Sequence, residues 1–391
     1  MRRWIAGTLI AVLLLCFAQP SRVFGGEADA DLGITAQACV LMEADTGQII
    51  YEKNSTQRLS PASITKIMTL ILIFEALEDG KITLQDEVTT SAYAKSMGGS
   101  QVFLEEGEKQ TVETLIKCIV VASGNDASVA MAEYICGSEQ EFVRQMNEKA
   151  AQLGMEDTHF TDCCGLTDSQ DHYTSAKDVA VMSRELSVKY PQIHNYSSIW
   201  MEDITHVTSQ GTSTFTLANT NKLLRQYEGC NGLKTGSTSL AKYCLSATAV
   251  RDDIELIAVI MAAPDYKVRF SEAAALLNYG FSHCTLYKGD ITVPLENVPV
   301  KNGISDSVGC AWGEQFTYLS TSEEDLGQIT WEFQPDPELK APVCAGDTVG
   351  SVVYYLNGTT IGSVPVVACE GVAEAGYLDY MKEIWKHLVK I

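Results

Sequence analysis

Apolar residues recur along this chain with different periods in turn, and the order of those periods restricts the fold more than any other feature. Residues 38–42 and 48–51 read as two apolar strands joined by the turn 43–47, a hairpin pattern. Apolar spacings of three and four then take over at 64–77, 112–122, 127–135, 141–153 and 176–186, which predicts a run of helices. Strand patterns return at 243–250 and 256–261, before a last helix from about 269 to 279. Strands first, helices in the middle and strands again is an α+β layout, a sheet backed by helices. From about residue 286 the runs become short and alternating, split by Gly, Pro, Asn and Asp as in 291–300 and 349–356, which predicts a small all-β domain. The boundary falls near 281–286, and no repeat of fixed period is visible.

Both ends carry a further signal. Arg2 and Arg3 precede an almost wholly apolar run at 4–18, too short to span a bilayer and followed by Gln19, Pro20 and small residues. That is the pattern of a cleavable export peptide, expected over residues 1–25. At the other end, 377–391 reads as a helix with Tyr377, Met381, Ile384, Leu388 and Ile391 on one face, Trp385 beside them, and Lys382, Lys386 and Lys390 on another side. Such a helix suits a membrane interface; a helix that docks on its own domain or on a partner is the alternative.

With 391 residues there is room for two domains plus tails, and a formal charge of -22 argues against a nucleic-acid partner. Of the twelve cysteines, eleven remain once Cys16 leaves with the export peptide, so at least one is unpaired. There is no C-x-x-C pair for zinc or redox chemistry, and we read the cysteines as small buried hydrophobes, with one or two disulfides left open. No metal or cofactor is expected. The six histidines are scattered and read as core or surface residues.

Three short segments could carry chemistry. In Ser60-Pro61-Ala62-Ser63-Ile64-Thr65-Lys66, Ser60 can cap a helix, Pro61 suits its first turn, and Ser63 then lies in that turn with Lys66 three residues on, on the same face. A serine needs a base to become a nucleophile, and an amine at that spacing can reach it. Ser123-Gly124-Asn125 falls in a gap between two helices and offers a hydroxyl and an amide. Lys234-Thr235-Gly236-Ser237 comes just before the strand at 243–250; its lysine and threonine can grip a carboxylate, and Gly236 leaves room for a substrate backbone to pair alongside. Each alone has a bland reading as a capped helix or a glycine turn.

Together, S-x-x-K, S-x-N and K-T-G in this order form the signature of β-lactamases and penicillin-binding proteins. The chain resembles the low-molecular-mass penicillin-binding proteins that act as D-alanyl-D-alanine carboxypeptidases, peptidase family S11, and its overall look resembles the sporulation-linked branch. Residues 98–101 with Gly107, 173–176 and 219–223 also look like that family. The resemblance implies a transpeptidase-like catalytic domain over 34–283, a β-rich domain over 286–372 and an attachment helix over 375–391. It implies Ser63 as the nucleophile, Lys66 as its base and Ser123 as the proton relay to the departing D-alanine. Asn125 is expected to hold the substrate amide, and Lys234, Thr235 and Gly236 to engage the end of the substrate. The N–H groups of Ser63 and Ser237 would form the oxyanion hole, and Arg269 would bind the terminal carboxylate.

The implied partners are a peptidoglycan stem peptide ending in D-Ala-D-Ala, β-lactams as covalent inhibitors, and the outer face of the cytoplasmic membrane. A class A β-lactamase would need a deacylating carboxylate, usually in E-x-x-L-N between the second and third motifs, and none lies between Asn125 and Lys234. A non-catalytic wall-binding protein would be suggested by a degraded motif, and all three are intact. Endopeptidase action on cross-links stays open, because it cleaves the same kind of D-alanyl bond.

Overall fold

A computed structural model of the protein describes residues 31–322, 324–381 and 385. Its frame is a five-stranded antiparallel sheet in the order Ile49–Lys53, Ala38–Glu43, Ile254–Ala263, Lys242–Arg251, Cys230–Thr238. The strands Ala38–Glu43 and Ile254–Ala263 are apolar almost throughout because both of their faces are covered. On one face Ala38, Val40, Met42, Ile257 and Val259 join a core built with the helices of the chain's middle. On the other, Cys39, Leu41, Leu256, Ala258 and Ile260 pack with Phe270, Leu276 and Leu277 of the helix Val268–His283. Burying each large aliphatic side chain contributes about 1.5–3 kcal/mol, so this double layer makes the sheet a stiff platform.

The helix Lys66–Glu78 explains why its sequence is apolar all round: it is the central pillar, buried from Lys66 to Phe74. Around it stand Val112–Val120, Asn125–Cys136, Glu139–Gln152 and Ala176–Arg184, which begin at Thr111, Gly124, Ser138 and Ser175; the hydroxyls of Thr111, Ser138 and Ser175 accept N–H bonds as caps. One expectation needs correction and another needs extending. Ser60 does not cap the central helix: its hydroxyl is buried without a partner, and the serine motif forms a separate tight turn, Ala62–Thr65, before the α-helix opens at Lys66. The Lys234 motif does come just before a strand, Lys242–Arg251, but it also lies inside one that was not expected, Cys230–Thr238, the edge strand of the sheet. That strand holds two glycines and several polar residues, so its composition conceals it. A hairpin of Met201–Thr208 with Gly211–Ala218 was also not anticipated.

Beyond residue 284 a four-stranded antiparallel sheet runs in the order Cys310–Trp312, Thr359–Ala368, Thr348–Leu356, Thr330–Pro335. It has its own core, in which Val298, Val352, Val364 and Val366 surround Tyr354 stacked on Phe316. Residues 377–381 and 385 are helical, with Tyr377, Leu378 and Trp385 exposed. The expected export peptide, 1–25, and the tail positions 382–384 and 386–391 lie outside the described residues. All eleven described cysteines are free thiols.

Candidate active site

Three elements converge on one site: the turn Ala62–Thr65, the loop before the helix Asn125–Cys136, and the edge strand Cys230–Thr238. Ser63 is half-exposed at the turn, while Lys66 is completely buried one turn on. The Lys66 Nζ lies 3.1 Å from Ser63 Oγ, 2.6 Å from Asn125 Oδ1 and 2.7 Å from the Cys164 carbonyl. Asn125 Nδ2 donates to the Gly98 carbonyl at 2.7 Å, which fixes its Oδ1 toward the amine. Burial pulls the pKa of Lys66 below the ordinary lysine value, against the pull of nearby acidic groups. The geometry suits a neutral amine. Two N–H bonds go to two carbonyl-type oxygens that can only accept, and the lone pair is left for the one partner able to donate, the Ser63 hydroxyl.

The second lysine is built differently. Lys234 Nζ donates to Ser123 Oγ at 2.8 Å and to the Thr235 carbonyl at 3.2 Å, and it too is buried. Burial lowers its pKa well below normal, and the charges of Lys66 and Arg269 add to that. Ser123 takes a left-handed backbone, φ 62°, which turns its hydroxyl back from the loop toward this amine. Thr235 Oγ1 bonds Thr220 Oγ1 at 2.7 Å, and Ser237 is exposed further along the strand.

Gly236 also meets a need within the chain itself. A Cβ there would lie 2.7 Å from the Pro61 carbonyl and 3.1 Å from the Ser63 and Ile64 nitrogens. The missing side chain therefore lets the edge strand pack backbone to backbone against the nucleophile turn. Arg269, near the start of the helix Val268–His283, reaches under the same strand: its Nη1 donates to the Gly236 carbonyl at 3.1 Å and the Cys244 carbonyl at 3.3 Å. Its Nε is buried without a partner, and among the described residues it pairs with no carboxylate.

Sequence reasoning missed the segment behind the nucleophile. The Asp162 Oδ1 accepts N–H bonds from Cys164, Gly165 and Leu166, and its Oδ2 one from Thr167, which curls 162–167 into a tight loop. Burial alone would raise the Asp162 carboxyl; the His172 ring and those N–H donors outweigh it and hold it below its usual range. The loop presents the Cys164 carbonyl to Lys66 and sets Gly165, at φ 73°, against the nucleophile turn. A Cβ on Gly165 would stand 1.8 Å from the Ala62 carbonyl oxygen. Glu139, Asp162 and Cys164 approach within 4.8 Å of one another, as metal ligands would. The two carboxylates are already engaged by N–H and hydroxyl donors, Glu139 by Cys163 N–H and Tyr93 Oη. The only warning of this loop in the sequence is the string Asp162-Cys163-Cys164-Gly165 itself.

Residues 26–265 match the family profile described as D-alanyl-D-alanine carboxypeptidase, and 281–374 match the C-terminal domain of penicillin-binding protein 5. The chain is 41% identical to the D-alanyl-D-alanine carboxypeptidase DacF of Bacillus subtilis, over 98% of this chain and 97% of that protein. Among solved structures it resembles penicillin-binding protein 5 of Haemophilus influenzae, with a TM-score of 0.74 and 32% identity, covering 89% of this chain and all of that one. It also resembles penicillin-binding protein 6B of Escherichia coli, with a TM-score of 0.69 and 31% identity over 88% of this chain and 97% of the other.

Proposed function

From the premise that the chain belongs to the D-alanyl-D-alanine carboxypeptidase family S11, we propose that its three converging motifs carry out the family's reaction through an acyl-enzyme on Ser63. The protein is a serine-type D-alanyl-D-alanine carboxypeptidase, a hydrolase of peptidoglycan peptides. In the proposed mechanism the Lys66 amine takes the Ser63 proton as Oγ attacks the carbonyl between the two terminal D-alanines. The Ser63 and Ser237 N–H groups receive the developing oxyanion, an arrangement in which a single donor is typically worth about 10²–10³ in rate. Ser123, bonded to Lys234, hands a proton to the departing D-alanine. Asn125 presents its amide to the substrate, and Lys234, Thr235 and Arg269 draw the terminal carboxylate, with Gly236 setting the strand that carries them. Water then releases the shortened peptide from Ser63.

The observation that carries this reading is the Lys66 amine, whose two carbonyl-type partners leave its lone pair to the Ser63 hydroxyl. Its test is direct: purified enzyme is given a pentapeptide ending in D-Ala-D-Ala, and free D-alanine is measured. Release by the wild type and none by Ser63→Ala is expected. D-alanine release unchanged in Ser63→Ala would overturn the assignment.

The placement follows from the chemistry of the substrate, which lies outside the cytoplasm. The proposed arrangement is export on the leader at 1–25, a catalytic domain over 34–283, a β-rich domain over 286–372, and attachment to the outer face of the cytoplasmic membrane by the helix 375–391. Exposure of Tyr377, Leu378 and Trp385, rather than packing on the β-rich domain, supports that last element. No helix among the described residues is long and apolar enough to cross a membrane.

A further inference from the structure

Behind the nucleophile turn lies a chain of buried polar groups that the mechanism above does not use. Thr65 Oγ1 donates to the Ala62 carbonyl at 2.8 Å and lies 2.8 Å from His172 Nε2. On the far side of the ring, His172 Nδ1 is 3.1 Å from the Thr161 backbone N–H and 3.2 Å from Thr161 Oγ1. Thr65 and His172 are both essentially inaccessible to water. A backbone N–H can only donate, so Nδ1 accepts, and a neutral ring must then carry its proton on Nε2. Burial favours that neutral ring, outweighing the opposite pull of Asp162. The polarity of the whole chain is thereby fixed: Thr161 N–H to His172, His172 Nε2–H to Thr65 Oγ1, Thr65 O–H to the Ala62 carbonyl.

The last link matters because the Ala62 carbonyl and the Ser63 N–H belong to one planar peptide unit. Ala62 holds a left-handed backbone, φ 47°, a conformation an alanine does not keep unless its surroundings hold it there. Gly165 packs against the same carbonyl, so close that a Cβ there would lie 1.8 Å from its oxygen and 2.7 Å from Thr65 Oγ1. We propose that His172 is a positioning residue for the reaction: through Thr65 it pins the Ala62–Ser63 peptide plane, and so aims the Ser63 N–H at the oxyanion.

This inference rests on Ser63 being the acylated serine, and the test separates the two. Wild-type enzyme is acylated by a β-lactam in stopped flow, and the ester carbonyl stretch of the acyl-enzyme is read by infrared difference spectroscopy. The variants are His172→Leu, His172→Gln and Thr65→Val. Glutamine can accept from Thr161 and donate to Thr65; leucine can do neither, and valine keeps the shape of threonine without its hydroxyl. His172→Leu and Thr65→Val should each slow acylation on the order of 10- to 100-fold, less than outright loss of an oxyanion donor, and move the carbonyl stretch to higher frequency. His172→Gln should restore both most of the way, and the double variant should be no worse than either single one. If folded Leu and Val variants are acylated at the wild-type rate, or if their rates fall while the carbonyl frequency stays put, His172 is structural packing only. If His172→Leu does not fold, Thr65→Val and His172→Gln decide by the same two readings. Absence of any wild-type adduct would instead overturn the parent assignment of Ser63.

Discussion

Ser63 and Lys66 differ in exposure because their roles differ: the nucleophile must meet substrate, while the base gains from being dry. A buried amine gives up its proton more readily, since water no longer stabilises the ammonium form. The unprotonated amine is the active form, so acylation should rise with pH and level off below the ordinary lysine value of 10.5. The Lys66 ammonium in turn helps hold the Lys234 amine below its ordinary range. Lys66→Ala should cut β-lactam acylation by roughly 10² or more, the scale of a lost general base. Intact-mass spectrometry should find one penicillin adduct on the wild type and none on Ser63→Ala.

At the scale of elements, the site depends on two backbones meeting the nucleophile turn where side chains are missing. Gly80 and Gly165 have nearly the same left-handed φ, 67° and 73°, but a Cβ on Gly80 meets nothing within 4 Å, whereas one on Gly165 strikes the Ala62 carbonyl. Gly80→Ala should cost only the backbone penalty, about 1–2 kcal/mol, while Gly165→Ala should cost clearly more in urea unfolding and also slow acylation. Equal losses at the two positions would mean that the loop 162–167 yields freely and does not brace the turn. The same comparison explains what could be read from the sequence. Ser63, Lys66, Ser123 and Asn125 stand within a few residues of their motif partners, so local spacing revealed them. The contacts of His172 with Thr65 are 107 residues apart and those of Cys164 with Lys66 are 98, and no periodicity encodes such meetings. The helices announced themselves because their apolar residues repeat. The edge strand Cys230–Thr238 stayed hidden because its residues are chosen for the site they serve and the turn they touch.

For the whole molecule, a strongly acidic body must be reconciled with a helix proposed to rest on membrane. Attraction of the tail lysines to anionic lipid is opposed by a chain whose formal charge is -22, and salt screens both terms within about 10 Å at 0.1 M. Insertion of the apolar face, which salt does not weaken, should therefore dominate binding. The place to cut the chain follows from its packing. Val343 pairs with Val372, Gly303 with Glu374, and Ala375 N–H donates to the Asn302 carbonyl, so a chain ending at Gly371 would lose a buried residue of the β-rich core. A chain ending at Gly376 keeps these contacts and removes only the helix. That shortened protein should release D-alanine from a soluble pentapeptide at the full rate and should not sediment with vesicles of mixed neutral and anionic lipid. The mature full-length chain should sediment with them even in high salt. If high salt releases the full chain, lysine attraction rather than apolar insertion holds it; if both chains sediment equally, or neither does, the helix docks on protein and the enzyme reaches the wall by other means.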